Sequence, residues 1–309
     1  MGNYSARVLQ KIIVLFIAMI AGFIAKKGKV INKENTKALS SLLVYITNPC
    51  LIIYSMQFDY DRQTLIVAGL VFVLSVVIHS VLALSSALIF KGVKNKKTRT
   101  VYSYALTYNN CGYMGYPIMM SIFGNDVGLF YGVIFVTAFN LFAWTHGLIV
   151  MSNSTKIPWN KLVKNPALIS VFISIVLFVG KIRLPSTVTD GLSLVGDMTF
   201  PLSMIIIGSL LADMKLLAIL KEKRLYLFSL LSLVATPLVM IFFAYILKLP
   251  EYLAIIGITM CAAPAAANTA VTAEVYDNDS ALAARIVGMT TLFCLITMPF
   301  MLWISQQII

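Results

Sequence analysis

Two short stretches rich in Asn, Gly, Pro and Ala interrupt long apolar segments and hold the residues best suited to binding a small molecule. Residues 109–117, Asn-Asn-Cys-Gly-Tyr-Met-Gly-Tyr-Pro, lie in an apolar segment of about residues 102–123. Residues 263–268, Ala-Pro-Ala-Ala-Ala-Asn, lie within about residues 252–276. Glycine tolerates unusual φ angles and proline lacks a backbone N–H, so both stretches favour a break in a helix.

A broken helix in lipid has a particular chemistry, because its freed backbone groups must face protein or a watery cavity. The break exposes N–H groups at the start of the second half-helix, equivalent to roughly +0.5 charge. Pro117 fits the first turn of such a half-helix, where a missing donor costs nothing. Two half-helix N-termini that meet would offer about one positive charge, which suits a monovalent carboxylate without a buried arginine. The opposite, negative ends would suit a cation or a proton carrier.

The amide side chains of these stretches, Asn109, Asn110 and Asn268, supply both donors and acceptors. They can cap freed backbone groups or contact a ligand, and we expect both. The alternative for each break is an ordinary kink, because Gly and Pro are common in membrane helices. Two breaks in matching halves of a chain favour a transporter site instead. The predicted substrate-binding residues are Asn110, Gly112, Gly115, Pro117, Pro264 and Asn268.

The composition predicts a polytopic membrane protein with no sizeable soluble domain. Of 309 residues, 60% are hydrophobic and 12% are charged, whereas soluble domains carry about 25% charged residues. The excess of 24 Lys and Arg over 12 Asp and Glu lies in short loops between apolar segments, which argues against nucleic-acid binding. The chain has no P-loop, no GxGxxG before a strand, no HExxH and no Gly-x-Ser-x-Gly, so we expect neither an enzyme nor a bound cofactor.

Ten apolar segments of about 20 residues, the length that a bilayer requires, predict ten transmembrane helices. The first follows Arg7 and Lys11 as a signal peptide would, but it lacks a clear cleavage site and is interpreted as a retained span. The predicted units are an N-terminal five-helix repeat (1–152), a cytoplasmic linker (153–164) and a C-terminal repeat (165–309). The ten segments fall near residues 8–25, 37–57, 64–90, 101–123, 127–151, 165–181, 187–212, 224–248, 252–275 and 282–305.

The positive charges predict the orientation of the chain in a plasma membrane. The odd-numbered loops carry 18 of the 24 Lys and Arg residues, and the opposite side carries the remaining 6. Positive residues concentrate in the cytoplasmic loops of membrane proteins. The odd loops are therefore predicted to be cytoplasmic, and both termini to lie outside the cytoplasm.

Proline positions indicate that the two halves are repeats. Asn48-Pro49 interrupts the second segment and Pro201 interrupts the seventh, and we interpret these residues as helix-breaking positions. Each half then has a proline in its second segment and a break in its fourth. Because five spans are an odd number, the second repeat enters the membrane from the opposite side, which is the inverted-repeat architecture of many secondary transporters.

Ionisable residues within the predicted spans are candidates for ion coupling, because charge at the bilayer centre is costly. Asp197 precedes Pro201 by one turn, Glu274 lies near the inner end of the ninth segment, and His79 is midway along the third. The alternatives are surface positions for the two carboxylates and, for His79, a neutral imidazole hydrogen-bonded to a neighbouring span. His146 is expected at the membrane interface. The four cysteines have neither CxxC spacing nor a histidine partner, so no metal site is predicted.

The order and spacing of these motifs resemble the auxin efflux carrier family, which includes plant PIN carriers and bacterial malate or malonate permeases. The resemblance covers essentially the whole chain and includes the family's motifs in its second, fourth, seventh and ninth helices. The residues that carry it are Asn48-Pro49, Asn110-x-Gly112-x-x-Gly115-x-Pro117, Phe200-Pro201-Leu202-x-x-x-x-x-Gly208, and Pro264-Ala-Ala-Ala-Asn268 with Ala273-Glu274-x-Tyr276.

The resemblance implies ten spans in a five-plus-five inverted repeat, with the fourth and ninth helices crossing at their breaks. It further implies a scaffold of spans one, two, six and seven, a moving domain of the other spans, and a homodimer. Asn110 and Asn268 match the positions where asparagines of the family contact the substrate carboxylate. No acidic pair near the third span matches the support site of plant carriers, which leaves coupling to H⁺ or Na⁺ open.

The sequence therefore predicts a secondary carrier of small organic anions, such as auxin-like, malate-like or malonate-like carboxylates, that works by alternating access. The alternative is a cation- or proton-coupled symporter or antiporter of related crossover-helix architecture, which would need Asp197, Glu274 or His79 at the crossover. A sensor or an intramembrane enzyme is disfavoured. The chain has no room for a soluble output domain, and His79 alone makes no hydrolytic site.

Overall fold

The computed structural model of the protein describes residues 4–154, 159–214, 219 and 221–309, and every regular element in these ranges is a helix. Residues 155–158 of the predicted linker, including Lys156, and residues 215–218 and 220 of a predicted loop, including Lys215, lie outside the described residues. In chain order the helices are α1 (Tyr4–Lys27), α2 (Glu34–Tyr54), α3 (Arg62–Ile89), α4 (Lys96–Thr107), α5 (Gly115–Phe123), α6 (Asn125–Ser152), α7 (Trp159–Val163), α8 (Pro166–Val179), α9 (Ser186–Ala212), α10 (Lys223–Ile246), α11 (Glu251–Cys261), α12 (Asn268–Val275) and α13 (Ser280–Ile308).

Seven helices of the described ranges are long and apolar enough to cross a membrane, namely α1, α2, α3, α6, α9, α10 and α13. The apolar helices α8 and α11 have 14 and 11 residues, and α4, α5 and α12 have 12, 9 and 8. At about 1.5 Å per residue, these shorter helices do not reach across a hydrocarbon core of ~30 Å alone. The protein is thus an all-helical, multi-pass membrane protein.

Several helices begin at an Asn or Asp placed just before an apolar run. The side chain of Asn95 accepts a hydrogen bond from the backbone N–H of Thr98 at 3.2 Å where α4 begins. Asn165 accepts one from the N–H of Leu168 at 3.1 Å, and Pro166 follows at the first position of α8. These caps satisfy N–H groups that have no acceptor within the helix, and proline fits a position whose N–H would be unpaired.

The prolines of the second and seventh predicted spans distort their helices without unwinding them. In α2 a wide π-helical turn, Leu43–Thr47, precedes Asn48 and Pro49, and the helix then continues. A wide turn makes room for the proline ring, which in a regular helix clashes with the carbonyl four residues earlier. Pro201 follows one non-helical residue, Met198, within α9. The prediction that Asn48, Pro49 and Pro201 break their helices is corrected, since local changes of helical geometry accommodate both prolines.

Helices α1 and α9 approach each other so closely that their main chains touch. A Cβ atom added to Gly22 of α1 would lie 2.2 Å from the carbonyl oxygen of Ile205. A Cβ atom added to Gly208 of α9 would lie 1.9 Å from the carbonyl oxygen of Met19. Both distances are shorter than any contact a real Cβ makes, so this helix pair depends on glycine at both positions.

Helix α2 packs against α8 and α9 and completes a first group of helices with α1. A Cβ atom added to Gly196 of α9 would lie 2.9 Å from the Cα atom of Leu51. Nearby, the buried hydroxyl of Thr199 donates a hydrogen bond to the hydroxyl of Thr47 at 3.0 Å. Each of these threonines stands two residues before a proline.

The second group of helices consists of α3–α6 and α10–α13, and its core adjoins the non-helical segments that precede α5 and α12. A Cβ atom added to Gly128 of α6 would lie 2.3 Å from the carbonyl oxygen of Met119 in α5. The Ser75 hydroxyl of α3 donates to the carbonyl oxygen of Phe135 in α6 at 2.8 Å. Large side chains that are fully buried in this group include Tyr108, Tyr116, Phe130 and Phe135.

Candidate binding site

The two helix interruptions predicted from the sequence are present, and they meet. Residues 108–114 separate α4 from α5, and residues 262–267 separate α11 from α12. The N–H of Asn110 donates to the carbonyl oxygen of Pro264 at 2.6 Å, and the N–H of Ala266 donates to that of Tyr108 at 3.2 Å. These bonds form a short antiparallel bridge. The two segments therefore satisfy part of each other's freed backbone groups, as an unwound helix inside a membrane requires.

Two side chains reinforce this junction. The amide nitrogen of Asn109 donates a short hydrogen bond to the carbonyl oxygen of Met260, at the end of α11. The hydroxyl of Thr290 in α13 accepts a hydrogen bond from the N–H of Ala265 at 3.1 Å and donates to Ile286 at 2.7 Å. The second segment is thus bound on one side to the first segment and on the other side to α13.

Small residues allow the two segments to approach. Residues 262–266 are buried, and Ala262, Ala263 and Ala265 are completely inaccessible to solvent. At the start of α5, a Cβ atom added to Gly115 would lie 2.7 Å from the sulfur of Met260. A larger residue at these positions would separate the two main chains and lengthen the hydrogen bonds between them.

A cavity of about 80 Å³ lies beside the junction. This volume exceeds the roughly 10–15 Å³ that one water molecule requires. Five asparagine side chains are among its lining residues, and none of the described residues that line it is charged. The lining residues are Asn48, Asn109, Asn110, Gly112, Tyr113, Tyr116, Val136, Phe139, Asn140, Ala266, Ala267 and Asn268.

Two polar atoms beside the cavity are buried without a hydrogen-bond partner in the part of the chain that the structure describes. They are the side-chain oxygen Oδ1 of Asn109 and the side-chain nitrogen Nδ2 of Asn110. A buried group left unsatisfied costs about 1–3 kcal/mol, so native proteins retain few of them. One donor and one acceptor at a polar cavity are therefore available to a ligand or to water.

The structure brings some of the predicted binding residues to the cavity and places others behind it. Asn110, Gly112 and Asn268 line the cavity, with Asn268 at its exposed rim. The remaining three residues are buried and have backbone roles instead. Gly115 begins α5, Pro117 lies in the first turn of α5 as expected, and Pro264 supplies a carbonyl acceptor.

Several lining residues were not predicted as part of the site. Asn48 was interpreted only as a helix-breaking position, whereas Asn109 was expected, with the other two amides, to cap backbone groups and contact a ligand but was not named among the substrate-binding residues. Asn140 was not singled out, although an amide in a mostly apolar part of α6 is a signal that could have identified it. The aromatic residues Tyr113 and Tyr116 carry no comparable signal, because the chain has many aromatic residues in apolar segments.

The predicted coupling carboxylates do not reach the cavity. Asp197 is exposed on α9, where its Oδ2 atom accepts a hydrogen bond from the Ser193 hydroxyl at 3.5 Å. Glu274 is exposed near the end of α12. Neither carboxylate is among the residues that line the cavity.

His79 is buried next to the first interruption, with Nδ1 donating to the carbonyl oxygen of Ser75 at 2.7 Å. This acceptor lies one turn earlier in α3, whereas a neighbouring span was expected. Tyr108 contacts both histidines of the chain, since its ring faces His79 and its hydroxyl lies 2.8 Å from Nδ1 of His146. His146 is half-buried, and its place at the membrane interface stays a prediction. The rings around His79, with centroids 5.6–6.4 Å away, are Tyr108, Phe135, Phe139 and Phe142.

Comparison with known proteins identifies the family of the chain. The family model described as membrane transport protein matches residues 7–157 and 150–302. An uncharacterized transporter of Methanocaldococcus jannaschii is 22% identical to this chain over 311 aligned positions, which cover 96% of this chain and 98% of that protein. The family match extends over nearly the whole chain and includes both interruptions. The protein therefore belongs to the membrane transport protein family, the auxin efflux carrier family.

Proposed function

We propose that the protein is a secondary carrier that moves small organic anions, specifically carboxylates, across the plasma membrane by alternating access. The observation that carries this proposal is the uncharged, amide-lined cavity where the two interrupted helices meet. The side-chain nitrogen of Asn110 points to a ligand that accepts hydrogen bonds, because it is buried and unpaired. The N-termini of α5 and α12 add a positive potential of roughly +0.5 charge each. Amide donors and helix termini together suit one carboxylate.

In this proposal the chain crosses the membrane ten times. Helices α4 and α5 form one broken span and α11 and α12 another, and α8 completes the count with the seven long helices. The halves 1–152 and 165–309, joined by the linker 153–164, are inverted repeats with both termini outside the cytoplasm. Two features support the repeat: α1 packs on α9 as α8 packs on α2, and the hydroxyl of Thr47 pairs with that of its counterpart Thr199.

Alternating access would move the second group of helices relative to the first. The first group of helices contributes Asn48 of α2 to the cavity lining. The other lining residues belong to the second group: they lie in α4–α6, in the segment before α12, and at Asn268. A cavity of about 80 Å³ is far smaller than the ~300–1,000 Å³ of typical ligand sites. The site would therefore enlarge when it opens, because a whole dicarboxylate needs more room than this state provides.

The driving force in this proposal is the anion gradient together with the membrane potential, worth about 2.3 kcal/mol per charge per 100 mV. Asp197 and Glu274 lie away from the cavity and do not support a direct role in ion coupling. Among the residues considered for coupling, His79 alone lies close to the junction, through its contact with Tyr108. Replacing His79 with Gln tests that role: a pH dependence of transport equal to that of the wild type would exclude it.

The test of the carrier function is uptake by liposomes that contain the purified protein. We expect labelled monocarboxylates or dicarboxylates to accumulate under an imposed anion gradient or a potential of suitable sign. Asn268→Ala should reduce uptake without reducing the amount of folded protein. Asn125→Ala, at an exposed position outside the cavity, is the matched control and should leave uptake unchanged. Failure to move any carboxylate under every gradient would overturn the proposal.

A further inference from the structure

A second, larger cavity of about 730 Å³ lies where α3 ends and where α4 and α10 begin. It shares no lining residue with the cavity at the junction. Its lining combines apolar residues, among them Ile89, Leu227 and Leu231, with two basic residues, Lys94 and Arg224. Its place at the ends of membrane-spanning helices is the depth at which lipid headgroups lie.

Stacked aromatic rings hold these helix ends together. The ring centroids of Phe90 and Tyr102 are 5.1 Å apart, and those of Tyr102 and Phe228 are 5.6 Å apart. The side chains of Tyr102 and Phe228 are buried, and all three residues also line the cavity. Because the stack connects the α3–α4 corner with α10, the cavity is a preformed feature of the fold.

The two basic residues of this cavity are not held in ion pairs with described residues, although the carboxylate of Asp279 lies beside the cavity and accepts a hydrogen bond from the lining residue Thr98 at 3.3 Å. Lys94 and Arg224 are exposed, and neither forms an ion pair with any residue that the structure describes. The nearby Glu222 is paired with Arg285 at 3.2 Å, so its charge is balanced elsewhere. Two cationic side chains that face one cavity favour a ligand with a phosphate group, because both can contact its oxygens.

An apolar groove of about 340 Å³ lies along α10 next to this cavity. Leu227 lines both the groove and the cavity, so one side chain borders the two spaces. Leu230 and Val234 continue the groove along α10, and Phe293 of α13 forms its other wall. The groove has almost no polar surface, so it suits a hydrocarbon chain better than a soluble metabolite.

From this juxtaposition we propose that the cavity binds an anionic phospholipid. Its phosphate lies between Lys94 and Arg224, and one acyl chain lies in the groove between α10 and α13. Basic pockets between membrane helices recognise acidic headgroups, and uncharged or zwitterionic lipids gain less from two cations that form no ion pair with the described residues. The lipid would connect α10 to the α3–α4 corner on the face where the chain concentrates its positive residues.

Thermal unfolding of the purified protein in mixed micelles tests this proposal. Dioleoyl phosphatidylglycerol should raise the melting temperature relative to dioleoyl phosphatidylcholine. The double variant Lys94→Gln/Arg224→Gln should lose at least half of that rise. The matched control Lys91→Gln/Lys221→Gln removes the same charge from exposed residues outside the cavity and should keep it. Equal rises in the two double variants would overturn the proposal, because general attraction to a positive surface would then explain the effect.

Two further ligands separate a lipid from a free phosphate. Glycerol 3-phosphate should give no rise at the concentration where the lipid acts, and dihexanoyl phosphatidylglycerol should give a much smaller rise than the dioleoyl lipid. A full rise with glycerol 3-phosphate would replace the lipid site with a soluble-phosphate site. Equal rises with short and long chains would exclude the groove. Native mass spectrometry should show that phosphatidylglycerol remains bound to the wild type and to Lys94→Arg/Arg224→Lys, which retains both charges.

Discussion

The two interrupted segments meet at one junction, but they contribute different chemical groups. The segment between α4 and α5 brings amide side chains, Asn109 and Asn110, whereas the segment between α11 and α12 consists of alanine around Pro264. The carbonyl oxygen of Pro264 in the second segment, and that of Met260 at the end of α11, accept hydrogen bonds from donors of the first segment. The first segment thus supplies the polar side chains, and the second supplies small residues. Because those residues are small, the first segment can approach the main chain closely.

This comparison predicts the largest effect for an enlarged side chain in the second segment. Ala265 is completely buried at the bridge with Asn109, so Ala265→Leu should overpack the junction and lower the free energy of unfolding by about 3 kcal/mol. Thermal unfolding in detergent measures the change. Ala281→Leu, at an exposed position of α13, is the control and should unfold like the wild type. An Ala265→Leu protein as stable as the wild type would show that close packing is not the role of this segment.

The amide of Asn109 should act mainly on stability. Asn109→Ala removes the side-chain donor to the Met260 carbonyl and leaves that acceptor with backbone donors alone, including the N–H of Ala263 at 3.4 Å, which should cost about 1.5 kcal/mol of unfolding free energy. The measurement is again thermal unfolding, with transport normalised to the amount of folded protein. An unchanged melting temperature would mean that the backbone bridge alone holds the two segments together.

Its neighbour Asn110 should act on transport instead of stability. The Nδ2 atom of Asn110 has no partner among the described residues. Removing this atom in Asn110→Ala therefore breaks no hydrogen bond within the described part of the folded protein. A hydrogen bond to a carboxylate is worth about 1.5–3 kcal/mol, so uptake should fall on the order of tenfold or more at about 1.4 kcal/mol per factor of ten. Liposome uptake and thermal unfolding of Asn110→Ala and Asn109→Ala, measured side by side, should give opposite results. Equal losses of stability in both variants would contradict the prediction that Asn109 acts on stability and Asn110 on transport.

The smallest effect is expected where the second segment contacts α13. Thr290→Val removes the acceptor of the Ala265 N–H and should cost about 1 kcal/mol of stability, with little change in uptake. Thr297→Val is the control, because the Thr297 hydroxyl donates only to a carbonyl of its own helix in the described contacts. If uptake fell severalfold in Thr290→Val while stability held, the second segment would also have a direct part in transport.

The sequence predicts the helix interruptions well, because Gly and Pro act through their own backbone geometry. The same local rule fails at Pro49, since a wide helical turn just before it accommodates the ring without a break. Asn110 was predicted at the site because it lies within an interruption. The amide of Asn140 stands out in its apolar segment, but whether it faces the site depends on how α6 packs against α5.

The carboxylates show a second limit of sequence-based prediction. Asp197 and Glu274 lie in apolar segments, where a charge suggests a function, but both side chains are exposed in the fold. The direction in which a helical residue points is set by the neighbours that the helix packs against, and a shift of one residue turns it by about 100°. The sequence therefore identifies the segments that form the site better than the individual side chains that face it.

The glycine contacts between α1 and α9 also have a practical consequence for measuring motion. Because the main chains touch at Gly22 and Gly208, these two helices cannot rotate or slide against each other without a steric clash. Spectroscopic probes attached to the ends of this pair should keep a constant separation while a substrate is carried. The distance between these probes would be a fixed reference for measuring the displacements of all other helices.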